Sequence, residues 1–178
     1  MSTTKRVATL ASALLTLGSA STVLPAENVE YWMPVPIPYA EGSGATTAVK
    51  EECGLPTDLP IYIENKVNRR ITVFRTASPP EAVVKAKDKV LLLEFTKVIA
   101  LPGGTHSGRK SVTVRGELRE HGEVIASFEA SRRTAGSILA PLGEGTCSML
   151  NKCALTLAKD IAKWFKNPTM DAKLGESR

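Results

Sequence analysis

Ser111–Glu120 reads SVTVRGELRE, and beyond His121 and Gly122 the chain continues as EVIASFEASRR over Glu123–Arg133. In the first run Val112, Val114 and Leu118 alternate with Thr113, Arg115, Glu117 and Arg119. Successive side chains of a strand point to opposite faces, so this period of two predicts a strand with one apolar and one polar face. His121 and Gly122 put a residue that readily adopts positive φ between the two runs, which predicts a hairpin. Upstream, KVLLLEFTKVIAL (Lys89–Leu101) sets Leu91, Leu93, Phe95, Ile99 and Leu101 on one face of a long strand. The glycine-bearing PGGTHSGRK (Pro102–Lys110) connects it to the next strand, and the three runs form an antiparallel meander.

A sheet with one greasy face needs a cover, and the sequence supplies helices for it. SMLNKCALTLAKDIAKWF (Ser148–Phe165) aligns Met149 or Leu150, Cys153, Leu157, Ile161, Trp164 and Phe165 in one stripe, and Asn167 and Pro168 end it. LPIYIENKV (Leu59–Val67), with Thr57 or Asp58 as N-cap, predicts a shorter helix that tolerates Pro60 in its first turn. ITVFRT (Ile71–Thr76) reads as one more strand, closed off by Ser78, Pro79 and Pro80. The expected fold class is α+β, a meander of about three or four antiparallel strands covered on one face by two helices.

The flanks read differently. Residues 1–26 follow the tripartite plan of a secretory leader: Lys5 and Arg6, the apolar run Val7–Leu17, then small residues, with a cut after Ala20 or Ala26. The apolar run is much shorter than the roughly 20 residues that span hydrocarbon, so the mature chain is expected to lack a transmembrane segment. Losing Lys5 and Arg6 lowers the net charge from +5 to +3, a mild value that gives no case for nucleic acid. Residues 27–50, with Pro34, Pro36 and Pro38 followed by Gly42 and Gly44, are expected to form an extended arm over the edge of the core. The domain proper is expected over 51–168, with a fraying tail from Thr169 to Arg178.

Cys53, Cys147 and Cys153 remain after the leader, and an oxidising compartment favours one disulfide and one spare thiol. Cys147 and Cys153 on one helix would lie about 9 Å apart along its axis, too far to bond. Cys53 therefore pairs with one of them, which one being left open. The closed loop of roughly 95 to 100 residues is worth about 4–5 kcal/mol in the chain-entropy model. Three thiols with His106 and His121 in turns make no spaced ligand set, so no metal or other cofactor is expected.

Catalytic signatures are lacking: there is no GxSxG elbow, and His106 or His121 would serve as a base only for an unseen partner. Glu117 and Glu129 read as cross-strand partners of Arg115 and Arg119. The loop LGEGTCS offers one candidate anion site, in which Gly143, Gly145, Thr146 and Ser148 direct donors from the start of the last helix, or else simply cap it. Arg109, Lys110, Arg115, Arg132 and Arg133 are a candidate basic patch.

The runs GGTHSGRKSVTVRGELREHGEVIASFEASR and GEGTCSMLNKCALTLAKDIAKWFKNP, with the upstream ECGL, resemble a group of small exported proteobacterial proteins of unknown function. More loosely, they are similar to bacterial lipoproteins of unknown function, although this chain lacks a lipid-attachment cysteine. The resemblance spans Glu51 to Leu174 and implies a Gram-negative envelope, periplasmic or extracellular, without transferring any functional residue. The reading is a non-catalytic envelope binding or assembly module with a protein partner in the envelope. The alternatives are a small exported hydrolase and an anion-binding module for phosphate-bearing glycans or lipids.

Overall fold

A computed structural model describes residues 31–68, 70–78, 80–134 and 144–177. The expected leader over 1–26 with its cut sites, the first residues of the arm, and Gly143 lie outside the described residues.

The elements run β1 (Tyr31–Val35), α1 (Thr47–Glu52), α2 (Leu55–Lys66), β2 (Ile71–Arg75), α3 (Pro80–Ala86), β3 (Lys89–Ile99), a 3-10 turn (Gly104–Ser107), β4 (Ser111–Glu120), β5 (Glu123–Arg133), α4 (Thr146–Trp164) and β6 (Ala172–Gly175). They form one six-stranded sheet in the order β2-β1-β3-β4-β5-β6. The meander β3-β4-β5 is antiparallel, whereas β1 pairs in parallel with both β2 and β3, and β6 in parallel with β5. The sheet is thus larger than the meander of three or four strands, and it is mixed. The reason is connectivity: parallel neighbours require a crossover, and each crossover carries a helix across the sheet. The link from β1 to β2 contains α2, and the link from β5 to β6 is α4.

Two strands arise where the sequence suggested an arm and a loose tail. In β1 Tyr31, Met33 and Val35 are buried and the residues between them are partly exposed, a period of two hidden by its prolines. Tyr31 N–H donates to the Arg70 carbonyl on the β2 side, so Pro34 turns its donor-less nitrogen toward β3. Pairing with β3 is accordingly confined to Trp32 opposite Val90. The chain stays beside β3 thereafter: Phe95 N–H donates to Pro38 O and Ala40 N–H to Phe95 O, each at 2.9 Å. At the other end Trp164 Nε1–H and Ser127 N–H both donate to Thr169 O at 3.2 Å, which delivers β6 to the edge of β5.

β3 also departs from the expected phase. Phe95 lies opposite Val114 but Lys97 opposite Thr113, leaving Thr96 as an extra, unopposed residue. The bulge inverts the alternation, so Val98 and Ala100 enter the core while Ile99 and Leu101 are 44% and 61% exposed. A second irregularity between Leu118 and Arg119 leaves Val124 and Ile125 exposed in β5.

The inner face of the sheet carries Leu91, Leu93, Phe95, Val98, Val112, Val114, Leu118, Ala126 and Phe128, all buried. The α4 stripe is buried against it: Phe128 meets Trp164 with ring centroids 4.6 Å apart, and Tyr31 meets Phe165 at 5.3 Å. α2 contributes Leu55, Leu59 and Ile63 to the same core, and burying each such side chain is worth about 1.5–3 kcal/mol. α2 begins at Leu55 behind Gly54 (φ 62°), earlier than Thr57 or Asp58. Pro60 leaves the Pro56 carbonyl without its helical donor, and Ile37 N–H fills it at 3.0 Å, fastening the proline-rich segment to α2.

Candidate functional site

The outer face of the sheet is built from the alternate positions of the same strands. Register places Ile99, Ser111 and Arg133 in one row, and Lys97, Thr113 and Ser131 in the next. Lys97 and Ile99 belong to this face because of the bulge at Thr96. Arg109, at the end of the connection into β4, and Glu176, just past β6, complete the rim of an open cleft of about 370 Å³. Thr113 Oγ1 and Ser131 Oγ share a hydrogen bond at 3.1 Å and form its floor with Ser111. Arg133 Nε lies 3.0 Å from a Glu176 carboxylate oxygen as an ion pair.

Farther along this face the charges are matched. Arg115 binds Glu94 at 2.7 Å, Arg119 binds Glu117 at 2.6 Å, and Lys173 reaches Glu129 at 3.3 Å. Arg115 sits opposite Glu129 in the register yet turns to Glu94 on its other side, so the cross-strand ladder has different rungs from those expected. A smaller hollow of about 200 Å³ lies over these pairs beside Pro38 and Leu92. The far corner is closed by α3, with Val83 and Val90 buried and Lys87 Nζ 3.7 Å from the centroid of the Trp32 ring.

The five basic residues singled out in the sequence do not form one surface. Arg109, Arg115 and Arg133 are on the outer face, and Arg109 and Arg133 share the cleft. Arg132 shares the inner parity of Val112 and makes a two-pronged pair with Asp160 of α4, Nε to Oδ2 at 2.7 Å and an Nη to Oδ1 at 2.9 Å, an arrangement that holds the guanidinium firmly protonated. Lys110, also inner, is fully buried. Its Nζ donates to Ser107 Oγ at 2.6 Å and Gly108 O at 3.2 Å, and burial pushes the ammonium pKa down. The Ser107 hydroxyl is within reach of the Leu101 and Gly104 carbonyls, at 3.0 and 3.1 Å. With its proton committed to backbone, the pair braces the turn rather than preparing a nucleophile.

The described residues of the candidate anion site, Gly145, Thr146 and Ser148, are spoken for by the fold. Gly145 is the N-cap of α4 and offers no side chain. Thr146 Oγ1 accepts from Gly104 N–H at 3.2 Å and donates to Leu101 O at 3.3 Å, and Ser148 Oγ donates to Glu144 Oε1 at 3.0 Å. The Glu144 carboxylate, itself an anion at this helix start, is paired with Lys152, and the hydrogen bonds from Lys152 and Ser148 lower its pKa. Beside it an apolar hollow of about 600 Å³ is lined by Ala100, Pro102, Val49 and the Cys53–Cys147 disulfide.

That disulfide resolves the pairing left open by the sequence, and Cys153 is the buried free thiol. Burial, and then the charge of Glu176, pushes its pKa up to about 11. His106 falls in the 3-10 turn, and His121 is exposed in the β4–β5 turn, 4.0 Å from Asp88. Among the described residues no group of three or more His, Cys, Asp and Glu side chains is placed to hold a metal, and no helix is long and apolar enough to cross a membrane.

Sequence reasoning missed Lys97, Ser111, Thr113, Ser131 and Glu176. Ser111 and Thr113 were legible as outward positions of β4. Lys97 was not, because its direction depends on the bulge, nor was Glu176, because its position depends on β6.

No family model matches the chain, and no curated protein matches it. Among solved structures it is similar to the PelC dodecamer from Paraburkholderia phytofirmans, at 12% identity over 76% of this chain and 89% of that one, TM-score 0.45. It is similar to a Xanthomonas campestris protein of a domain family of unknown function, at 11% identity over 78% and 85%, TM-score 0.49. It is also similar to a minor lipoprotein from Acinetobacter baumannii, at 14% identity over 79% and 92%, TM-score 0.38.

Proposed function

We propose that the chain is an exported, non-catalytic binding module of the cell envelope that meets its partner with the outer face of the sheet. The observation that carries this reading is the division of labour between the faces: the inner one is consumed by α2 and α4, while the outer one presents an open cleft rimmed by Lys97, Arg109 and Arg133. The leader-like start and the Cys53–Cys147 bond both suit an oxidising compartment. Ser107, Lys110 and Thr146 spend their hydroxyls and ammonium on bracing the fold.

The test is retention. A tagged wild-type chain should co-fractionate with envelope material and be cross-linked there. Lys97→Glu combined with Arg109→Glu should release it while oxidised mass and thermal unfolding stay as in wild type, whereas the helix-side change Leu155→Lys should not. Retention unaffected by the double reversal would defeat the reading. Turnover of ester or phosphoester substrates that disappears in His106→Ala or His121→Ala would replace it with the hydrolase alternative.

A further inference from the structure

We propose that the cleft over Ser111, Thr113 and Ser131 recognises a phosphomonoester dianion. The inference rests on the binding-module reading and supplies the chemistry of its ligand.

Charge comes first. Among the described residues the cleft gathers three cations, Lys97, Arg109 and Arg133, against one carboxylate, that of Glu176. Elsewhere on the face Arg115, Arg119 and Lys173 each have a carboxylate partner. Apart from Lys87, which sits over the Trp32 ring at the far corner, the unbalanced positive charge of the described outer face therefore gathers at one end of the strands, and the formal excess of two in the cleft matches a doubly charged anion.

Donor geometry comes second. Glu176 lies 3.0 Å from Arg133 Nε, which orients the guanidinium, and a guanidinium has five N–H donors, more than one such contact uses. Thr113 and Ser131 consume one hydroxyl proton between them, so one of the two O–H groups is left to donate upward. Residues two apart on a strand are separated by about 6.6 Å and adjacent strands by about 4.8 Å, so the three hydroxyl-bearing positions lie within about 8 Å of one another, close enough for donors on both strands to converge on one phosphate group. Phosphate oxygens take several donors at once, and guanidinium and hydroxyl donors arranged around one point suit them. Ile99, 44% exposed at the rim, offers an apolar contact to whatever carries the phosphate.

The third point is local backbone. The insertion at Thr96 is what turns Lys97 outward beside Thr113 instead of into the core. A bulge that re-aims one side chain into a cleft is a feature of binding sites more than of plain scaffolding.

The carrier is either a sugar or a lipid, and the experiment separates them. The mature, disulfide-bonded chain, labelled with nitrogen-15, is titrated with inorganic phosphate, glucose 6-phosphate and glucose, and sedimented with phosphatidylcholine vesicles with and without phosphatidic acid. Phosphate and glucose 6-phosphate should shift the amides of Ser111, Thr113, Ser131 and Arg133 with dissociation constants around 1 mM, and glucose should not. Tighter binding of the sugar phosphate identifies a glycan source, and sedimentation with phosphatidic acid a lipid source. Lys97→Gln with Arg109→Gln should weaken binding about tenfold, and Thr113→Val should weaken it with the strands intact, whereas Arg115→Gln should change nothing. Absence of cleft shifts with every phosphate, or equal losses in Arg115→Gln, overturns the proposal. If charge reversal still abolishes envelope retention in that event, the binding-module reading survives and only the ligand assignment falls.

Discussion

A Cβ at Gly116 has nowhere to go: it would fall 2.3 Å from two atoms of the Phe128 ring and 3.0 Å from Leu93. Phe128 in turn is fixed against Trp164, so the missing side chain in β4 is what lets α4 settle on the sheet. Gly116→Ala should cost about 1–3 kcal/mol by overpacking, read as a lower urea midpoint with unchanged slope. A loss below about 0.5 kcal/mol would mean that the ring yields freely. Cys153 makes a second prediction at this scale. Native protein should leave it unreactive to a thiol reagent, and denatured protein should titrate one thiol per chain. Its folded pKa of about 11 exceeds the ordinary value of 9.0, so the folded state holds the proton more tightly. Because burial penalises the thiolate, stability is undiminished below pH 9 and falls by about 2–3 kcal/mol as pH rises from 9 through 11. Cys153→Ala should therefore show a shallower alkaline decline in stability than wild type, and parallel curves would refute the assignment. The burial of Cys153 was legible from its place in the α4 stripe. Its being the unpaired thiol was not, since spacing left Cys147 and Cys153 equivalent as partners of Cys53.

At the scale of elements, the strands and helices whose periodicity is uninterrupted were readable: β4, the β4–β5 turn and α4 are where Val112, Gly122 and Ile161 put them. What failed was pattern broken by something the pattern cannot encode. Prolines masked the alternation of Tyr31, Met33 and Val35, a single inserted residue shifted the phase of β3 after Phe95, and the polar run around Lys173 became a strand only because β5 offered an edge. The same β6 hides that edge from other chains. Removing residues after Pro168 should strip Phe128–Ser131 of their outer partners and expose them as a template for association. The truncated chain should elute as dimers and larger species in size-exclusion with light scattering. A stable monomer of unchanged melting temperature would show that β6 contributes nothing to protecting the edge.

For the whole molecule, α+β class and a helix-covered sheet followed from strand alternation and helix amphipathicity, while the cleft did not, because it is assembled from β3, β4, β5 and the segment after β6 together. The Cys53–Cys147 bond joins the end of α1 to the start of α4 across a sequence separation of 94. Cys53→Ser with Cys147→Ser should lower stability by about 4–5 kcal/mol, measured by denaturant unfolding against the oxidised parent. Equal midpoints would mean that the bond restrains a denatured chain already compact.

The position of β1 has a consequence for how the protein is made. Tyr31 pairs with Ile71 and Trp32 with Val90, so a strand near the start of the chain is the one wedged between β2 and β3. During N-to-C synthesis it emerges ahead of both neighbours and must wait, its buried side chains in water, until they arrive. Birth precedes partnership for this strand, and its apolar side chains stay without their final neighbours until β2 and β3 have both emerged.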